Sequence, residues 1–209
     1  MNNWIARFTI ALVFCYTAQA VVAAEISLTV TDADGSPLPS AVVWLPGGNV
    51  TPRATPYVMN QRNRQFEPGV LAVPTGSRVA FPNSDSVMHH VYSFSPVKRF
   101  EIKLYKDSPG EPLLFPTAGV VQLGCNIHDW MLGYIVVVDA DTFAVTDAEG
   151  KVSLSVDGDS ADLSVWHARF KNLSATEQHT VRSGAQVIKV AQALTPAVDP
   201  YQADEFDGY

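Results

Sequence analysis

Cysteine is almost missing from this chain: its 209 residues hold two, Cys15 and Cys125. Positive charge is scarce as well, with 14 Lys and Arg against 21 Asp and Glu and a formal net charge of −7. That balance argues against nucleic acid as the main partner, because phosphate binding needs clustered cations. Charged residues make up only 17% and hydrophobic residues 47%, so the composition is globular rather than disordered. Long apolar runs are lacking too. The run Phe8–Tyr16 is too short to cross a bilayer comfortably, and no later segment is long and apolar enough. No segment sustains a 3.6-residue hydrophobic period, so nothing beyond short helical turns is expected.

What is present at the N-terminus has the pattern of a secretory signal. Arg7 precedes the apolar run Phe8–Tyr16, and the small residues Ala18, Ala20, Ala23 and Ala24 follow. Cleavage after Ala24 makes residues 1–24 the signal peptide; a cut after Ala20 and an uncleaved anchor are the alternatives. The mature chain is then expected in the periplasm, with no stable membrane span. Cleavage removes Cys15 and leaves Cys125 alone, so no internal disulfide can form. A lone thiol in an oxidising compartment is either buried and inert or held by a metal.

The rest reads as all-β. Short runs rich in Val, Ile, Phe and Tyr predict strands at 26–30, 41–45, 70–73, 78–81, 91–94, 100–104, 120–123, 134–138, 152–156, 161–166, 178–182 and 186–191. The last two, joined by Ser183-Gly184-Ala185, read as a hairpin. The 14 prolines and 13 glycines punctuate these runs as sandwiches and barrels require. Two turns are near copies: Thr31-Asp-Ala-Asp-Gly35 and Thr146-Asp-Ala-Glu-Gly150. The stretches SLTVTDADGSPLPSAVVWL (27–45) and AVTDAEGKVSLSV (144–156) resemble successive parts of carboxypeptidase-regulatory-like β-sandwich modules. The expected organisation is therefore a small sandwich split over 25–51 and 140–195, a second β domain inserted at 52–139, and an acidic tail at 196–209. The bland alternative is that Asp-Gly turns are common in β proteins.

The segment GCNIHDWM (124–131) carries the chemistry. Cys125, His128 and Met131 are spaced three residues apart at the end of one predicted strand and just before the next. Thiolate, imidazole and thioether are donors that suit copper in either oxidation state. A second imidazole is available at His89 or His90, in FPNSDSVMHHVYS (81–93). Two imidazoles, a thiolate and a weak axial thioether form a type-1 copper set. Zinc accepts Cys and His too, but needs a fourth donor, for which Asp129 is at hand. Taken singly, a cysteine or methionine is more often core filler.

FPNSDSVMHHVYS together with FPTAGVVQLGCNIHDWM (115–131) resembles the cupredoxins, the plastocyanin and amicyanin family, over 65–139. The spacing of His128 and Met131 is similar to the short amicyanin loop, and the whole chain is similar to periplasmic methylamine-utilisation-type proteins. The resemblance implies a Greek-key barrel with one type-1 copper held by His89, Cys125, His128 and Met131. It aligns His89 with the ligand and sets His90 on the opposite face, close enough to influence the potential. It also implies that electrons leave through His128, amid the apolar Ile127, Trp130 and Leu132, toward redox partner proteins. Five histidines are too few for a multicopper oxidase cluster, so an electron carrier is expected rather than an enzyme. A copper delivery or storage protein is the other reading. His167 reads as structural or superficial, and His179 as solvent-facing on the C-terminal hairpin.

Overall fold

A computed structural model describes residues 23–48 and 50–197. The signal segment up to residue 22 and the end of the acidic tail, 198–209, lie outside it. The strands in chain order are β1 (Ala23–Thr31), β2 (Val42–Trp44), β3 (Tyr57–Val58), β4 (Asn60–Arg62), β5 (Gln65–Glu67) and β6 (Val70–Pro74). Then come β7 (Ser77–Ala80), β8 (His89–Ser93), β9 (Phe100–Tyr105), β10 (Leu113–Phe115), β11 (Gly119–Gly124) and β12 (Leu132–Val138). The last are β13 (Phe143–Val145), β14 (Lys151–Asp157), β15 (Ser160–Trp166), β16 (Glu177–Arg182) and β17 (Gly184–Lys189). The chain is all-β: no helix occurs among the described residues, and so none long and apolar enough to cross a membrane.

Strands from the two ends of the chain pair with one another. One sheet has the order β14-β1-β17, and a second β13-β2-β15-β16. Their inward residues, among them Ile26, Leu28, Val30, Val43, Leu163 and Val165, belong to one buried core, which Trp44 and Trp166 join. The middle of the chain builds a five-stranded sheet, β6-β12-β11-β8-β9, faced by β10-β7-β3 and the β4–β5 ribbon. Its core holds Phe81, Val91, Phe115, Leu123, Ile135 and Val137, and also Cys125 and Met131.

The two cores share a wall. Side chains alternate sides along a strand, and β12 has apolar residues at both parities. Tyr134, Val136 and Val138 face the core containing Trp44 and Trp166, while Ile135 and Val137 face the core containing Cys125. Strand β6 does the same, with Val70 and Ala72 on one side and Val73 on the other. The Tyr134 and Trp166 rings sit 5.4 Å apart. This explains the continuous apolar run YIVVV, which is the mark of a strand buried on both faces.

The twin turns of the sequence are twins in space. Asp32 Oδ1 accepts the N–H groups of Asp34 (3.0 Å) and Ser36 (2.9 Å); Asp147 Oδ1 accepts those of Glu149 (3.0 Å) and Lys151 (2.8 Å). Thr146 lies buried beside the second turn, donating to the Leu38 carbonyl at 2.7 Å and accepting from the Ala41 N–H at 2.9 Å.

The expected C-terminal hairpin is not there. β16 pairs with β15 in one sheet, and β17 runs parallel to β1 in the other. Gly184, with φ +96°, turns the chain between sheets. This crossing lets Val181 and Ile188 both enter the core between the sheets. His179 therefore lies on the β15–β16 pair. It is half-buried rather than solvent-facing, with Nε2 2.9 Å from a Glu177 oxygen.

Candidate metal centre

Three strands position the donors. β8 begins at His89, β11 ends at Gly124, and β12 starts at Leu132, so the loop 125–131 closes the same end of the sheet. Gly124 pairs with Tyr92 across β11 and β8, and the Tyr92 ring lies against it; a Cβ there would be 2.7 Å from Tyr92 Cζ. A side chain at the residue before the cysteine would therefore have to push the Tyr92 ring aside. Within the loop, the Met131 N–H donates to the His128 carbonyl at 3.0 Å, which curls the loop and turns Met131 inward, where it is 2% exposed.

His89, Cys125 and His128 come together. Nδ1 of His89 is 3.9 Å from Cys125 Sγ, and Nδ1 of His128 is 3.7 Å from it. The three donor atoms all lie within 4.8 Å of one another, and the two imidazole rings are 4.9 Å apart, tilted by 56°. Ligands at about 2.0–2.1 Å for nitrogen and about 2.3 Å for sulfur, spread at tetrahedral to trigonal angles, are separated by about 3.6–3.8 Å. The two sulfur–nitrogen separations, 3.9 and 3.7 Å, lie close to that figure. The donor chemistry and the spacing both fit a thiolate–imidazole metal centre. His89 is fully buried, Cys125 is 3% exposed, and both face the barrel core.

The fourth expected donor, Met131, lies in the same core as Cys125, and both line a cleft that also holds Tyr92, Gly124 and Leu132. Asp129 does not join the cluster: among the described residues the converging His, Cys and carboxylate donors are His89, Cys125 and His128. A closed zinc site of four strong donors is thus not assembled. His90 points elsewhere, with Nε2 2.9 Å from Glu101 on the neighbouring β9.

His128 differs from His89 in being half-buried. Burial lowers its pKa below the ordinary imidazole range, as do the nearby His89 and Arg64, while Asp85 pulls the other way. Its ring lies 5.2 Å from that of Trp130, and the ligand-bearing loops expose Val87, Met88, Ile127 and Leu132. An imidazole edge in an apolar surrounding is thereby available at the surface.

A further contributor that the motif does not single out is Asp85, whose Oδ2 lies 2.7 Å from Nε2 of His89. Burial raises its pKa, but the Arg64 N–H, His89 and the Asn63 N–H outweigh this and hold it below the usual carboxylate range. The signal in the sequence was a carboxylate four residues ahead of a ligand histidine.

No protein-family model matches the chain, and no curated protein matches it either. Part of it is similar to solved structures. A reduced Cu(I) form of an amicyanin variant is 24% identical, over 41% of this chain and 84% of that one, with a TM-score of 0.37. The reduced state of another amicyanin variant is 22% identical over 46% of this chain and 97% of that one, with a TM-score of 0.36. A purple cupredoxin from Nitrosopumilus maritimus is 23% identical over 38% of this chain and 95% of that one, with a TM-score of 0.34.

Proposed function

We propose that this chain is a periplasmic type-1 copper protein that carries single electrons between redox partner proteins, and that it is not an enzyme. One observation carries the reading: two imidazole Nδ1 atoms stand 3.9 and 3.7 Å from a buried, solitary cysteine sulfur, on a barrel end whose core also holds a methionine. His89, Cys125, His128 and Met131 would hold the copper, which would supply a one-electron couple. The protein's part is to keep that donor set in one shape. His89 and Cys125 are set on β8 and the end of β11, and their burial excludes water from the thiolate side. His128 brings the set to the surface, where the exposed Ile127, Met88 and Leu132 offer an apolar contact for a partner protein.

The test is reconstitution of the chain, freed of residues 1–24, with cupric salt. An intense visible absorption and one reversible voltammetric wave are expected; Cys125→Ser is expected to lose both. A wild-type protein that stays colourless overturns the reading. Tight binding of copper(I) without reversible cycling selects delivery or storage instead.

A further inference from the structure

Asp85 faces away from the converging donors, yet it joins three groups. Its Oδ1 accepts the Asn63 N–H at 2.6 Å, and its Oδ2 accepts the Arg64 N–H at 2.9 Å and meets Nε2 of His89 at 2.7 Å. Asn63 and Arg64 are the two-residue turn between β4 and β5, and both have positive φ, 54° and 55°. That is the hairpin geometry with both central residues left-handed, and here it aims two successive N–H groups at one carboxylate. The loop carrying Asp85 is tied down in turn. Asn83 Oδ1 accepts the Asp85 N–H at 2.9 Å, and Asn83 Nδ2 donates to the carbonyls of Val87 (2.8 Å) and Tyr105 (3.2 Å).

An ionised carboxylate only accepts hydrogen bonds, so the hydrogen between it and His89 sits on Nε2. Nδ1 then keeps its lone pair, and Nδ1 is the atom directed at Cys125 Sγ. A histidine that ligates through one nitrogen and donates the other N–H to a carboxylate is held in tautomer and ring plane and is a stronger donor. A backbone carbonyl in the same place would fix the tautomer without bringing a charge.

We propose that Asp85 is a positioning residue for the metal centre: braced by the Asn63-Arg64 turn, its carboxylate selects the His89 tautomer that frees Nδ1 and strengthens that nitrogen as a ligand. The inference rests on the metal reading above. It excludes Asp85 as a ligand, because it stands on the far side of the imidazole ring.

Two measurements test it. In the metal-free wild-type protein, nitrogen-15 NMR of the imidazoles is expected to show His89 with its hydrogen on Nε2 and protected from exchange. A hydrogen on Nδ1 overturns the proposal whether or not metal binds. In Asp85→Asn, copper affinity is expected to fall about 10–100-fold, and the reduction potential to shift upward, since a negative charge that favours the oxidised ion is gone. A carboxylate that merely pinned the hairpin would lower the unfolding midpoint of Asp85→Asn and leave the potential and the tautomer unmoved, which overturns the proposal. Failure of the wild type to take up copper would instead refute the metal reading, with the tautomer measurement still judging Asp85.

Discussion

His167 and His89 are both buried imidazoles, and their neighbours give them different work. His167 donates from Nε2 to the Pro39 carbonyl at 3.0 Å and accepts the Arg169 N–H on Nδ1 at 3.3 Å, so the backbone uses both nitrogens. His89 spends one nitrogen on Asp85 and keeps the other for the cluster. Burial pushes the pKa of His167 below the ordinary imidazole range; the Pro39 carbonyl opposes this and Arg169 adds to it. The unfolded chain then binds more protons than the folded one in that window. The associated stability is present above about pH 6.5 and is lost as pH falls through the depressed folded value. Denaturant midpoints of the metal-free protein at neutral and mildly acid pH are expected to differ more for the wild type than for His167→Gln. His128, also lowered, is common to both proteins and cancels in the comparison. At this scale the sequence was informative wherever a residue's chemistry is rare. A lone Cys125 with His128 and Met131 at fixed spacing drew attention by itself. Asp85 did not, because one carboxylate among 21 acidic residues means nothing until its three partners are known.

Strands show where pattern reading succeeds and where it stops. Runs such as Phe100–Tyr105 and Ala161–Trp166 announced themselves by β-branched and aromatic content. Strands β3, β4, β5, β10 and β13 did not, since each has only two or three residues and exists through its partner rather than its composition. The C-terminal segment reads as a hairpin because Ser-Gly-Ala looks the same whether the chain folds back on its own sheet or, as here, crosses to the next. Sequence identity also hides a difference between the twin turns. Gly35 (φ +88°) has open space where a Cβ would stand, whereas a Cβ at Gly150 (φ +71°) would sit 2.6 Å from the Val30 carbonyl oxygen. Gly35→Ala is expected to cost the left-handed penalty alone, about 1–2 kcal/mol. Gly150→Ala must add a clash with backbone that cannot swing aside, and its loss of stability is expected to be clearly larger. Chemical denaturation of the two variants side by side checks this, and equal losses would contradict the contact geometry.

For the whole molecule, the decisive element is β12, which contributes to both cores. Each of its buried Val or Ile residues stabilises the fold by about 1.5–3 kcal/mol, and no surface separates the two sets. The two cores are therefore expected to unfold together. In a Trp130→Phe background, intrinsic tryptophan fluorescence, which then reports on Trp44 and Trp166 in one core, and far-ultraviolet circular dichroism should give coincident denaturation curves for the metal-free protein. Tyr134→Ala, which leaves a void against Trp166, is expected to cost about 3–5 kcal/mol and to shift both curves by the same amount. Two separated transitions would show that the wall is weaker than its packing implies.

The shared wall also limits how this protein can change over generations. Neighbouring positions on one strand answer to different masters: Val136 must suit the tryptophan side, and Val137 must suit the side that holds the cysteine. Removing either half would strip one face of β12 and β6 of its cover. The ligand loop follows suit, since Met131 is chained directly to the first residue of that strand. A change of shape on the sandwich side of the wall must be accommodated on the barrel side.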